Sequence, residues 1–133
     1  HHVLTNPPYH DAERGTRAPQ AAKARATSAP ERELFDWLRF ARALVRPKGT
    51  VTAILPPEQI PVALRALAPD GLGAEIVPLW PKEDEPAKRV IVRIRTNARA
   101  PLRILPGVVL HEAGGKPTEA AEAVLRRGAP LTT

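Results

Sequence analysis

Residues 3–10 read VLTNPPYH: a short apolar run, an asparagine, two prolines and an aromatic ring. The run from Val3 to Thr5 reads as the C-terminal end of a β-strand, because a residue that precedes proline, here Asn6, is driven towards extended backbone. Pro7 and Pro8 have no N–H to donate and hold their own φ, so the carbonyls around them are fixed with no competing backbone donor. Asn6 adds an amide oxygen that accepts and an amide nitrogen that donates. The ring of Tyr9 can lie flat against a planar group, a contact of roughly 1–3 kcal/mol per stacked base. The corner thus offers two rigid acceptors, the Asn6 side-chain oxygen and the Pro7 carbonyl, beside a stacking face. That is a socket for a planar amine; a stiff turn without chemistry is the plainer alternative.

An exocyclic amine is a poor nucleophile because its lone pair is delocalised into the attached π-system. Two acceptors that hold its N–H bonds favour a more pyramidal, electron-richer nitrogen and aim it at an electrophile, with no strong base needed first. The methyl group of S-adenosylmethionine is one such electrophile, and a base in paired nucleic acid would first have to be flipped out.

The rest of the chain sets the frame for that corner. With 133 residues, 43% of them apolar, it can bury one core and is too short for two. Its 16 prolines exceed twice the usual share of about 5% and are spread along the sequence, which points to short elements with sharp connections. A formal charge of +6 favours an anionic partner. The absence of cysteine excludes disulfides and thiolate metal sites and fits a cytoplasmic protein; no membrane partner is expected. With no methionine and an apolar strand almost at its start, the chain reads as a piece of something longer, and His1 and His2 as natural residues or a tag remnant.

From His10 to Ala29 no apolar period appears, and a flexible flap is expected there. Ser28 and Glu31 have capping-box spacing, and Leu34, Trp37, Leu38, Ala41 and Leu44 follow at helical intervals, predicting a helix over 30–46 with Trp37 in the core. Pro47 and Gly49 stop it. TVTAIL, 50–55, is a buried strand, and a short helix over 58–68 ends at Pro69 and Gly71. AEIVPLW, 74–80, and RVIVRIRT, 89–96, are strands joined across PKEDEP, a solvated tip, and are expected to pair as a hairpin. Strand, helix, strand, helix, strand and antiparallel partner make an α/β arrangement, the second half of a mostly parallel sheet with helices on its faces. That unit spans 1–98. A C-terminal extension over 99–133 holds short apolar runs at Leu102–Leu105 and Val108–Leu110, a Gly114-Gly115 turn and a small helix from about Pro117 to Arg127.

The NPPY box resembles the signature of class I amino-methyltransferases that modify adenine, cytosine or the glutamine amide. LVRPKGTVTAILP is similar to the helix, Pro-Gly turn and fifth strand of their Rossmann-like fold. PAKRVIVRIRTNARAPLRILPGVVLHEAGGKPTEAAEAVL resembles the C-terminal half of bacterial tRNA (adenine) amino-methyltransferases and their small-domain relatives. The resemblance covers nearly the whole chain and implies that Asn6, Pro7, Pro8 and Tyr9 hold the target amine and its ring. Asn6 and Pro7 would also contribute part of the S-adenosylmethionine site. The family's glycine-rich turn, its ribose-holding acid and its polar residues near the third strand have no counterpart here, so the chain alone is expected to bind S-adenosylmethionine weakly or not at all. In the complete fold the Asn6 strand is central, so one edge is expected to be open here, inviting self-association or docking of an N-terminal half.

RNA, specifically tRNA, is the expected partner, with His10, Arg14, Arg17, Lys23, Arg25, Lys88 and Arg89 as candidate phosphate contacts and Arg32 beside them. Ordinary solvated loop charge is the alternative for each. His111 beside Glu112 reads as a surface hydrogen-bonding residue and no metal site is expected. Trp80 reads as a packing residue. A protein glutamine amide is the alternative substrate, and a truncated, non-catalytic domain that binds RNA or a partner is the alternative from another class.

Overall fold

A computed structural model describes residues 1–7, 29–119 and 121–122. The expected flap up to residue 28, and with it Pro8, Tyr9, His10, Arg14, Arg17, Lys23, Arg25 and Ser28, lies outside the described residues, while Ala29, expected at its end, already belongs to the first helix. The elements in chain order are β1 (His2–Thr5), α1 (Ala29–Ala43), β2 (Thr50–Leu55), a single 3₁₀ turn (Pro57–Gln59), α2 (Ile60–Leu67), β3 (Ala74–Trp80), β4 (Arg89–Arg95), β5 (Arg103–Ile104) and β6 (Val108–Val109). They form a mixed α/β fold around one six-stranded sheet in the order β1-β2-β4-β3-β5, with β6 also on β3.

β1 and β2 run parallel, while β4 is antiparallel to β2 on one side and to β3 on the other. The hairpin partner β4 is therefore inserted between its two parallel neighbours rather than added at the margin. β4 suits that place: VIV and Ile94 are buried, and its pairs with both neighbours run almost its whole length.

One face of the sheet carries both helices. Val51, Ala53 and Leu55 of β2, Val90, Val92 and Ile94 of β4, and Ala74 and Ile76 of β3 share that face by the two-residue alternation of strands. They pack with Leu34, Leu38 and Ala41 of α1 and with Val62, Ala63, Ala66 and Leu67 of α2. Each such Leu or Val contributes roughly 1.5–3 kcal/mol by leaving water. The opposite face presents Leu4, Thr52, Ile54, Arg93, Arg95 and Glu75, and among the described residues no helix of full length covers it.

The first helix is shorter than its sequence period predicts. Leu44 and Val45 donate to the carbonyls of Ala41 and Arg42 three residues back, so the last turn tightens. Leu44 swings out to 53% exposure, while Val45 packs against the core. Trp37 is also no core residue: it is 47% exposed, and Leu34, Leu38 and Ala41 alone make the buried stripe.

The outer side of β3 is closed by residues 103–110, which run parallel to it in two short stretches. The Leu105 and Leu110 amides donate to the carbonyls of Ile76 and Trp80, so residues 76, 78 and 80 turn their backbone groups to this side. Pro78 has no N–H to offer there, and the facing chain breaks its ladder at Pro106 and Gly107. Gly107 has φ +89°, and a Cβ on it would run into the Pro78 carbonyl oxygen. Half-buried Trp80 donates to the Pro106 carbonyl at 3.1 Å, so it packs and bonds at this seam. Further on, the Gly114-Gly115 turn is present: the Gly115 amide donates to the Glu112 carbonyl, and Gly115 has φ +94°. Thr118 caps the following helical turn through its hydroxyl, which accepts from the Ala121 amide at 3.1 Å. Most of the expected terminal helix lies outside the described residues.

Candidate functional site

Because β4 is antiparallel to both β2 and β3, the three strands β1, β2 and β3 point the same way, and their carboxyl ends share one pole. Ligands of open α/β sheets bind at that pole. Proline follows each of these strands: Asn6-Pro7-Pro8 after β1, Pro56-Pro57 after β2 and Pro81 after β3. Pro7, Pro56 and Pro81 have no N–H to extend the ladder, so stiff turns stand at these strand ends, although the Pro81 carbonyl still accepts from the His111 amide.

Asn6 stands at the end of β1, one residue beyond Thr5, which pairs with Ala53. It is exposed, and Pro7 behind it is buried. An exposed amide on a buried proline base is held by backbone rather than by side-chain packing. Val3 and Thr5 share the sheet face that packs against α1 and α2. Trp37 fixes this strand end from α1: its Nε1 donates to the Thr5 hydroxyl at 2.8 Å. Trp37 is thus a positioning residue for the corner, which the sequence reading missed. The signal was available: beside the stripe the core uses, Trp37 and Phe40 of α1 and Leu44 just past its end continue a second apolar series, and all three are exposed.

Lys88 and Arg89 come to the same pole. Val90 pairs with Leu55 two residues beyond the level of Thr5 and Ala53, so the start of β4 stands level with the Asn6 corner. Two strand spacings separate them, about 10 Å. Both are exposed, and Arg89 donates to the Lys88 carbonyl at 2.8 Å. Arg32 is exposed on the first turn of α1. Near the end of β2, the Gln59 side-chain oxygen is buried with no hydrogen-bond partner.

Beyond β3 the same pole has a hollow of about 450 Å³ lined by Lys82, Glu83, Asp84, His111 and Glu112 among others. It lies across the sheet from Asn6 and is separate from that corner. Among the described residues no group of three or more His, Asp or Glu side chains is placed to hold a metal ion. Nor is any described helix long and apolar enough to cross a membrane.

No family model matches the sequence, and no curated protein matches it significantly. In structure the chain is similar to a predicted O-methyltransferase from Agrobacterium tumefaciens, with a TM-score of 0.69 and 24% identity. The match covers 92% of this chain and 49% of that one, so the chain spans about half the length of its structural neighbour. The fold described above is therefore methyltransferase-like.

Proposed function

We propose that this chain supplies the acceptor half of an S-adenosylmethionine-dependent methyltransferase that modifies an exocyclic amine, with adenine in tRNA as the target. The observation that carries this reading is the position of Asn6: exposed at the end of a parallel strand, on a buried proline, at the carboxyl pole of a methyltransferase-like sheet. There the Asn6 side-chain oxygen and the Pro7 carbonyl accept the two N–H bonds of the amine, and Tyr9 stacks on its ring. Lys88 and Arg89, level with the corner, bind backbone phosphate, and the basic residues Arg14, Arg17, Lys23 and Arg25 together with His10 extend that contact.

The methyl donor fits this chain only in part. In this reading Asn6 and Pro7 would meet its reacting end, but the sequence has no glycine-rich strand-turn-helix to cradle a nucleotide, so no step through the donor is assigned to these residues. Calorimetry on the isolated chain is expected to show no binding of S-adenosylmethionine at low-micromolar affinity. The decisive test is transfer of labelled methyl to unmodified tRNA by a polypeptide that joins this chain to a donor-binding half. Asn6→Ala is expected to lower turnover about 100-fold or more, since one of two transition-state contacts is lost. Unchanged turnover, or label that enters protein glutamine instead of tRNA, refutes the reading.

A second reading has its own observation. Among the described residues β1 has one unpaired edge, and the exposed Trp37 and Phe40 of α1 and Leu44 just beyond it lie nearby. Strand edge and apolar stripe together favour association with another polypeptide along this margin, either a second copy or a donor-binding half.

A further inference from the structure

At the pole opposite Asn6, the amino ends of β2 and β3 meet the carboxyl end of β4 around a hollow of about 170 Å³. Thr50, Gly73, Glu75, Arg93, Arg95 and Arg103 are among its walls. Three arginines therefore line a hollow whose walls, among the described residues, include one carboxylate, that of Glu75. Arg93 donates to Glu75 Oε1 through Nε at 3.1 Å and Nη2 at 2.7 Å, and Arg103 Nη2 stands 3.5 Å from Glu75 Oε2. Arg95 donates to the Lys48 carbonyl at 2.9 Å. Each guanidinium carries five N–H donors, so these contacts leave most of them free for a further acceptor.

The hollow is held open by backbone. Gly73 has φ +79°, and a Cβ there would sit 2.6 Å from the Arg95 carbonyl oxygen. Its amide donates to the Ala100 carbonyl at 2.7 Å and its carbonyl accepts from the Arg95 amide at 3.0 Å. That glycine ties the end of β4 to residues 98–101, so that Arg95 and Arg103 line the same hollow. Cross-strand pairing of Glu75 with Arg93 and of Glu75 with Arg103 fixes the remaining wall. Arg46, Lys48 and Arg99 are exposed on the adjoining segments, so the positive charge continues past the rim.

We propose that this hollow is a binding site for a phosphate-type anion, separate from the Asn6 corner and independent of any methyl transfer there. Glu75 offsets one arginine and orients two; the remaining excess of positive charge is relieved when an anion accepts from the forks of Arg95 and Arg103. Free phosphate and the phosphodiester of an RNA strand share that chemistry, and the test separates them.

Inorganic phosphate is titrated into the chain, followed by amide NMR, with chloride at matched ionic strength as control. Saturable shifts confined to Gly73–Glu75, Arg93–Arg95 and 98–103 are expected. They should vanish in Arg95→Ser with Arg103→Ser. In the second arm, a short fluorescent single-stranded RNA is bound across a salt series. If the source is the RNA backbone, each arginine removed makes the log–log salt slope shallower by about 0.7, and Arg65→Ser on α2 leaves it unchanged. Phosphate shifts without a slope change identify a free anion as the ligand. Absence of saturable shifts together with equal slopes in the cavity and Arg65 variants overturns the proposal. The wild-type titration and the Arg65 control stand even where the double variant does not fold.

Discussion

At one margin of the sheet, β3 is flanked by residues 103–110, which bend around Pro78, bond to the Ile76 and Trp80 carbonyls and pin Trp80 to Pro106. At the other, four-residue β1 has a partner on one side alone among the described residues, and Leu4 is 74% exposed. The first margin finishes itself with local chain and needs only a glycine at the bend. The second is tied by side chains at both ends, His2 to the Thr50 hydroxyl and the Trp37 indole to the Thr5 hydroxyl, and among the described residues keeps an unpaired ladder and an exposed apolar stripe. Within one sheet, then, the described contacts are concentrated at the margin away from the proposed chemistry, and the margin with Asn6 has fewer of them.

The contrast can be broken most severely at the closed margin. Gly107→Ala forces a Cβ against the Pro78 carbonyl at positive φ, and a loss on the order of 3 kcal/mol is expected in urea unfolding, with early hydrogen exchange of the Leu105 and Leu110 amides. At the open margin, Trp37→Phe keeps the ring but removes its donor; about 1 kcal/mol is expected to be lost, and β1 amides should exchange faster than those of β3. Equal protection of both margins in that variant would show that the indole does not hold the strand. Smallest in stability is Leu4→Lys, expected to cost less than about 0.5 kcal/mol because the side chain is exposed. Its effect is on association: sedimentation of the wild-type chain should shift with concentration and that of the variant should not.

The strands were legible wherever one face had to be buried. TVTAIL and AEIVPLW are short apolar runs and RVIVRIR is an alternating one, and the structure places their ends within a residue of the expected bounds. The position of β4 between β2 and β3 was not, because a hairpin signal fixes which strands pair and says nothing of what the second edge meets. Trp37 was misread because an indole on the flank of a helical stripe satisfies the same period as one at its centre. Only the location of the sheet edge beneath α1 decides between them, and that is a tertiary fact. For the candidate site, the proline-stiffened exit from β1 was readable from Asn6-Pro7-Pro8. The alignment of Lys88 and Arg89 with it depends on a register set by Leu55 and Val90, two strands away. The arginine hollow was hidden for the same reason: Arg93, Arg95 and Arg103 look like solvated alternation until Gly73 draws their strands together.

The chain has two tryptophans, and the structure puts them at opposite borders of the sheet, Trp37 above β1 and Trp80 beside the bend at Pro106. Each indole N–H is engaged at its own border, so the emission of each ring reports on a different half of the molecule. Replacing either with phenylalanine leaves a single intrinsic fluorophore. The same protein can then be watched optically from its sealed side or from its receptive one, without any attached dye.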